Sequence, residues 1–130
     1  MATPEQVLAR FQGRYEYAEK RSTFIFLCLI TDSREEFQRA EREVKEAFPK
    51  AAHILSVARI RDADGIYEAA SENGEPVKAA HKTLFGLTQR GVEDIGLLAI
   101  RHYGGKKLGA SNLDGIFTMG FQAALRAAGR

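Results

Sequence analysis

The apolar run Ile95-Gly96-Leu97-Leu98-Ala99-Ile100 is followed at once by Arg101-His102-Tyr103-Gly104-Gly105-Lys106-Lys107-Leu108-Gly109-Ala110-Ser111-Asn112-Leu113, and then by a helical pattern that reaches the C-terminus. A short apolar run, a glycine-rich turn and a 3.6-residue period read in that order as strand, loop and helix. The glycines allow left-handed backbone or close approach. Ser111 with Asp114 looks like a capping pair, so the loop is expected to empty into a helix N-terminus. Unpaired N–H groups and the positive dipole end gather there, and Arg101, Lys106 and Lys107 add charge with no acid among them. That end should welcome an anion. It is not a nucleotide P-loop: Gly104 and Gly109 have the right gap, but Ala110 stands where the phosphate-gripping lysine belongs.

The rest of the chain supplies a sheet for that unit. Residues 1–13 read as an N-terminal extension, weakly helical around Val7, Leu8 and Phe11, loosely docked and ended by Gly13. Residues 14–130 read as the domain. Arg14 to Tyr17 alternates as a short strand, and Thr23 to Ile30 is a stronger one, expected to be covered on both faces. Cys28 within it reads as a buried structural thiol. Asp32-Ser33 opens a helix whose stripe is Phe37, Ala40, Val44, Ala47 and Phe48, stopped by Pro49. His53 to Ile60 is a strand, Asp64-Gly65 a hairpin turn, and Ile66 to Ala70 its return. After the loop Ser71 to Pro76, with Pro76 expected as the first helical residue, a helix carries Ala80, Leu84 and Leu87 and ends at Gly91. Asp94 to Tyr103 is the last strand. The closing helix presents Leu113, Ile116, Phe117, Phe121, Ala124 and Leu125, with Gly115 and Gly120 permitting close approach to the sheet. The pattern β-β-α-β-β-α-β-α predicts an α+β fold with a mostly antiparallel sheet of four to five strands packed with helices.

Several function classes are excluded or left thin. The 130 residues fit one domain, and 45% hydrophobic with 28% charged content is ordinary for a globular protein. A net charge of +2 announces no nucleic-acid binder, so a basic patch must come from distribution. One cysteine precludes an internal disulfide and suits a reducing cytoplasm. The longest apolar run, Phe24 to Ile30, is too short to span a membrane. The histidines His53, His81 and His102 lack the close spacing of a zinc site, although His53 and His102 would meet if their strands paired. No metal or cofactor is expected. Glu75 with a strand-borne histidine would make an acid–base pair near Gly104, but the carboxylate reads better as an anion at a helix N-terminus. No serine sits in a nucleophile elbow. A binding module is expected rather than an enzyme.

Arg101-His102-Tyr103-Gly104-Gly105, Leu108-Gly109 and Leu113 resemble the Arg-Tyr-Tyr-Gly-Gly…Leu-Gly…Leu signature of the IMPACT/YigZ family. Asn73-Gly74-Glu75-Pro76 resembles its Asp-Gly-Glu-Pro, His53 falls on its Ala-Arg-His stretch, and Lys20-Arg21-Ser22-Thr23-Phe24-Ile25 looks like its opening strand. Order and spacing match from about Tyr15 to Leu125. The resemblance implies the fold of the second domain of a small-subunit ribosomal protein and of elongation factor domain IV. It implies a first domain, here without the ferredoxin-like second domain many members carry, and a regulatory role in translation or its stress control. The expected partners are RNA or the ribosome, or a translation-associated protein; oligomeric state is left open.

In residue terms, Arg101, Lys106 and Lys107 would hold phosphates. Amides at Gly104, Gly105 and Gly109, with Ser111, would bond their oxygens, and Tyr103 would stack a base. His53, Glu75, Lys78 and His102 are secondary cleft candidates. The family's Gly-Thr-Ala-Gly after Glu-Pro appears as Val77 to His81, its Gly-Gly before Leu113 as Ser111-Asn112, and its following Arg-Ala-Tyr as Gly115-Ile116-Phe117. These changes restrict the approach of a ligand backbone, while Lys78 adds charge at the same end. An adaptor meeting an acidic protein through the same surface, or a weak hydrolase using Glu75 and His53, are the alternatives.

Overall fold

A computed structural model describes residues 2–130. The elements are α1 (Pro4–Leu8), β1 (Gly13–Glu19), β2 (Ser22–Ile30), α2 (Arg34–Ala47), β3 (His53–Asp62), β4 (Gly65–Ser71), α3 (Ala79–Arg90), β5 (Ile95–His102) and α4 (Ala110–Ala127). The strands form one sheet in the order β1-β2-β5-β3-β4, and each neighbouring pair is antiparallel. This is the expected α+β architecture, with five strands. Among the described residues no helix is long and apolar enough to cross a membrane.

The long apolar runs of β2 and β5 mean that both sheet faces must be covered, and they are. On one face Phe24, Phe26, Cys28, Leu55, Val57, Leu97 and Ala99 pack against α3 and α4 through Leu87, Phe117, Phe121 and Leu125. On the other, Leu27, Leu29, Ala58, Ile60, Leu98 and Ile100 meet α1 and α2 through Val7, Leu8, Phe37, Ala40 and Val44. Phe26, Phe117 and Phe121 are fully buried. Burying each contributes about 1.5–3 kcal/mol. Phe117 and Phe121 meet Phe26 edge-on, with centroids 6.1 and 5.8 Å away. Gly120 makes that seating possible, because a Cβ there would lie 2.1 Å from the Phe26 ring. Gly115, expected to serve the same purpose, faces open space.

Several local expectations are corrected. The N-terminal segment is not loosely docked: Val7, Leu8 and Phe11 are buried under α2, and Thr3 and Gln6 close a capping box on α1. Gly13 opens β1 instead of ending a helix. Lys20 and Arg21 belong to the β1–β2 turn, both with positive φ, and only from Ser22 does the strand begin. Ser33 does cap α2, its Oγ accepting from the Glu36 N–H. Pro76 does not start α3, which begins three residues later behind Lys78. The Val77 N–H folds back to the Glu75 carbonyl at 2.8 Å, and this tight turn is incompatible with helix at Pro76.

Candidate functional site

The antiparallel register brings one row of side chains across the sheet. Phe24 on β2 lies opposite Arg101 on β5, and Arg101 lies opposite His53 on β3. Paired residues share a face, here the α3/α4 face. His102, one residue on, points to the other face, where its ring meets Phe48 with centroids 6.1 Å apart. His53 and His102 therefore do not meet, although the strands that carry them pair. The period of two separates them. Among the described residues no group of three or more metal-ligating side chains gathers.

Glu75 arrives from the loop between β4 and α3. Its Oε1 accepts from Arg101 Nη1 at 2.5 Å, and the side chains are 2% and 7% exposed. Glu75 is thus neither a free acid nor an anion in the first turn of α3. It is the buried counter-charge of Arg101, and it is drawn inward because a guanidinium at that depth demands a partner. Arg101 in turn stands beside two rings, its carbon 5.9 Å from the Phe24 centroid and 5.4 Å from that of Tyr103. His53 completes the group. Its Nδ1 is 2.9 Å from the Asn73 carbonyl, and its Nε2 is 3.8 Å from Glu75 Oε2. Asn73 and Gly74 take φ of 52° and 91°, so the Asn-Gly turn wraps the imidazole. A Cβ on Gly74 would sit 3.3 Å from the ring.

These three side chains underlie a cavity of about 440 Å³. Ala52, Pro76, Leu108 and Leu113 supply apolar walls; Tyr103, Lys107, Gly109 and Ala110 lie along its rim. Tyr103 is about half exposed. Leu108, an apolar residue in a basic loop, turns inward to close one side and is 6% exposed.

The loop from Tyr103 to Gly109 carries the cationic side chains. Lys106 and Lys107 are exposed and form no ion pair among the described residues. Only Lys107 lines the cavity. Gly109, at φ 82°, is the residue before α4, and no side chain caps that helix. Ser111, expected as the cap, lies inside the first turn, where its hydroxyl is past the N–H groups a cap would serve. Its expected companion Asp114 looks elsewhere, accepting from the Lys78 N–H at 2.9 Å and from Lys82 Nζ at 2.5 Å. The Lys82 hydrogen bond, helped by the Lys78 N–H, holds the Asp114 carboxyl below its ordinary range. The N–H groups of Gly105, Gly109, Ala110, Ser111 and Asn112 donate to nothing within the described residues. Gly104 has a different task. A Cβ on it would lie 2.1 Å from the Arg21 carbonyl oxygen, so its lack of a side chain lets the loop pack on the β1–β2 turn.

Of the residues expected from the sequence, the fold gathers His53, Glu75, Arg101, Tyr103, Lys107 and Gly109 around one cavity. Lys106 and Ser111 lie on the same loop and helix without lining it, Lys78 sits before α3, and His102 is on the opposite face. Leu108, Leu113, Ala52 and Pro76 also line the cavity, although the sequence reading gives them no site role; Leu108, Leu113 and Pro76 stand in the family signature, and Leu108 interrupts a polar, cationic stretch, whereas Ala52 carries no sequence signal.

Residues 20–125 match the family model of the Impact N-terminal domain. The chain is 28% identical over 114 residues to an IMPACT family member of Haemophilus influenzae, covering 86% of this chain and 55% of that protein. It is 33% identical over 110 residues to the IMPACT family member YigZ of Escherichia coli K12, covering 82% and 53%. It thus spans about half the length of the curated relatives it matches. A crystal structure described as that of a hypothetical protein superposes with a TM-score of 0.77 at 28% identity, over 88% of this chain and 56% of that one. The two-domain translational regulator Yih1 shares the fold, with a TM-score of 0.59 at 22% identity, over 91% and 47%. The signature residues that converge on the cavity and the match over residues 20–125 agree: the chain belongs to the IMPACT family.

Proposed function

We propose that this domain is a regulatory binding module of translation that engages single-stranded RNA, free or on the ribosome, through the Arg101–Leu113 loop. The observation that carries the reading is the uncapped start of α4, whose unpaired amides share a loop with the unpaired Lys106 and Lys107, the second of which lines the cavity. Phosphate oxygens fit such amides, and the lysines add the salt-dependent part of the affinity. Tyr103, half exposed at the rim, offers a face on which a base stacks. Arg101 serves this reading differently from the lysines. Its charge is spent on Glu75, so it organises the cavity floor instead of gripping phosphate. Translation enters through family membership and through the fold shared with Yih1.

The test is a titration of labelled single-stranded RNA at two salt concentrations, with wild type and with Lys106→Glu/Lys107→Glu. Two or three phosphate contacts predict affinity falling about tenfold between about 50 and about 200 mM salt. The double variant should lose most of the affinity and most of the slope. Absence of wild-type binding at the lower salt would remove RNA as the partner.

A further inference from the structure

The two-residue turn between β1 and β2 carries strain that the fold itself does not use. Lys20 and Arg21 take φ of 47° and 69°, a region that L side chains resist and that Asn-Gly enters readily. Both side chains are exposed and form no ion pair among the described residues. Strained backbone persists where its surroundings hold it, and it gathers at binding sites. Three contacts hold this turn. Thr23 pairs with His102, which sets the turn beside the start of the Tyr103–Gly109 loop. Gly104 packs on Arg21, whose carbonyl oxygen would lie 2.1 Å, and whose Cβ 2.4 Å, from a Cβ at position 104. Asn112, in the first turn of α4, donates to Glu19 Oε2 at 2.7 Å and ties the other flank to the helix. Glu19 also accepts from the Tyr17 hydroxyl, so the acid that flanks the turn is bound by neutral groups and leaves both cations unpaired. Elsewhere at this end the charges are matched, Arg101 by Glu75 and Lys82 by Asp114. Lys20, Arg21, Lys106 and Lys107 are left over, on two turns that touch.

We propose that the β1–β2 turn belongs to the RNA-binding surface, with Lys20 and Arg21 holding phosphates of the same single strand whose backbone lies along the Arg101–Leu113 loop. The inference rests on the RNA reading and extends its surface across Gly104 to two residues that serve no contact within the fold. Phosphates recur along a strand whatever its bases, so cations spread over two adjoining turns suit a backbone and are wasted on a single compact anion. The strain then has a reason. Asn-Gly would relax the backbone and remove both charges at once, so stability and affinity are opposed at these two positions. The contact of Gly104 with Arg21 gives the two turns a fixed spacing, and the Asn112–Glu19 hydrogen bond keeps the free amides of α4 in register with them.

Fluorescence anisotropy with labelled octauridine and the full chain tests this at about 50 and about 200 mM salt. Contacts of the loop alone give the tenfold fall in affinity stated above; two more cations in contact steepen the wild-type fall to about fiftyfold. Lys20→Gln/Arg21→Gln removes the charges without relieving the backbone. It should weaken binding about tenfold or more at the lower salt and return the fall to about tenfold. Lys20→Asn/Arg21→Gly should lose the same affinity while resisting urea better than wild type, a combination that misfolding cannot produce. Arg42→Gln, on the exposed side of α2 and unpaired among the described residues, controls for net charge and should bind as wild type does. Turn variants that bind no more weakly than Arg42→Gln, with salt-dependent wild-type binding intact, would overturn the role of the turn and leave the RNA reading standing. A loss confined to the Asn-Gly variant, or one that leaves the salt dependence unchanged, would also overturn it, because backbone geometry and not charge would then be at work. Competition by uridine monophosphate as effective as that of octauridine would make a compact anion the ligand and overturn it too. Absence of wild-type binding at the lower salt would overturn both readings.

Discussion

Replacing Glu75 by alanine strands the Arg101 guanidinium, and the cost follows from burial. The two side chains are 2% and 7% exposed, and the Arg101 Nε is already without a partner, so the variant leaves the charge with no hydrogen-bonded anion and little water. Removing one member of a buried pair costs about 3–5 kcal/mol, a large fraction of the stability of a small domain. With about 2.1 cal/mol/K per residue, the 130-residue chain has an unfolding entropy of about 0.27 kcal/mol/K, so a 4 kcal/mol loss lowers Tm by about 15 °C. The chain has no tryptophan, so urea and thermal unfolding are followed by far-ultraviolet circular dichroism. Glu16→Ala is the control, since it removes a carboxylate 2.7 Å from Arg14 at the surface, where side-chain exposures are 35% and 56%. Such a pair is worth about 0–1 kcal/mol. The double substitution Glu75→Leu/Arg101→Met should recover much of the loss, because it removes the orphaned charge as well as its partner. Glu75→Ala costing no more than Glu16→Ala would show that water reaches the guanidinium, and the account of the cavity floor would fail with it.

Three further outcomes follow from other parts of the fold. Lys20 and Arg21 hold φ of 47° and 69° in the two-residue β1–β2 turn, a conformation that side chains resist; Lys20→Asn/Arg21→Gly should raise stability by about 1 kcal/mol in urea unfolding. Asp114 has its carboxyl held below the ordinary value of 3.8, chiefly by Lys82, so its contribution is complete above about pH 5 and disappears as pH falls through the folded-state value. The stability difference between wild type and Asp114→Asn should accordingly be constant from about pH 5 to about pH 7 and shrink below about pH 4, and a difference that grows on acidification would contradict the assignment. Burial pushes the Cys28 thiol up to about 12, so an aromatic disulfide reagent at about pH 8 should label it only as fast as the chain unfolds, and rapid labelling in buffer would contradict its burial.

The sheet was readable because its strands carry period-two and continuous apolar patterns that local chemistry does not override. Thr23 to Ile30 and Asp94 to Tyr103 lie within a residue or two of β2 and β5. Element ends were harder, for reasons that lie outside any local window. Pro76 has every local qualification for a helix start, yet α3 waits until Ala79 because Glu75 is pulled to Arg101 and the chain must turn back above it. Ser111 and Asp114 have cap-like spacing, but Asp114 finds Lys78 and Lys82 on a neighbouring helix. Arg101 illustrates the same limit at the site. Its sequence neighbours are cationic and contain no acid, so it reads as one more phosphate ligand. The acid that claims it lies 26 positions away and is brought there by the strand register. The family signature marked Glu75 and Arg101 as residues of interest without revealing that they serve each other.

The position of the cavity follows from strand direction. β3 is antiparallel to both β4 and β5, so those two strands run the same way and end at the same edge of the sheet. α3 leaves β4 and α4 leaves β5 there, which places two helix N-termini side by side, each with its unpaired donors. The two are treated differently. Asp114 reaches from α4 to accept the Lys78 N–H at the start of α3 and so answers that terminus from within. The start of α4 gets no such acceptor: Gly109 precedes it without a side chain, Ser111 is too far inside, and the one acid in its second turn has already been committed to α3. Glu72 also accepts the His81 N–H in the first turn of α3, so both acids serve α3 while the start of α4 keeps its donors, and Lys107 adds to them. Under the RNA reading proposed above, a phosphate group is the external anion that would balance that end of the sheet.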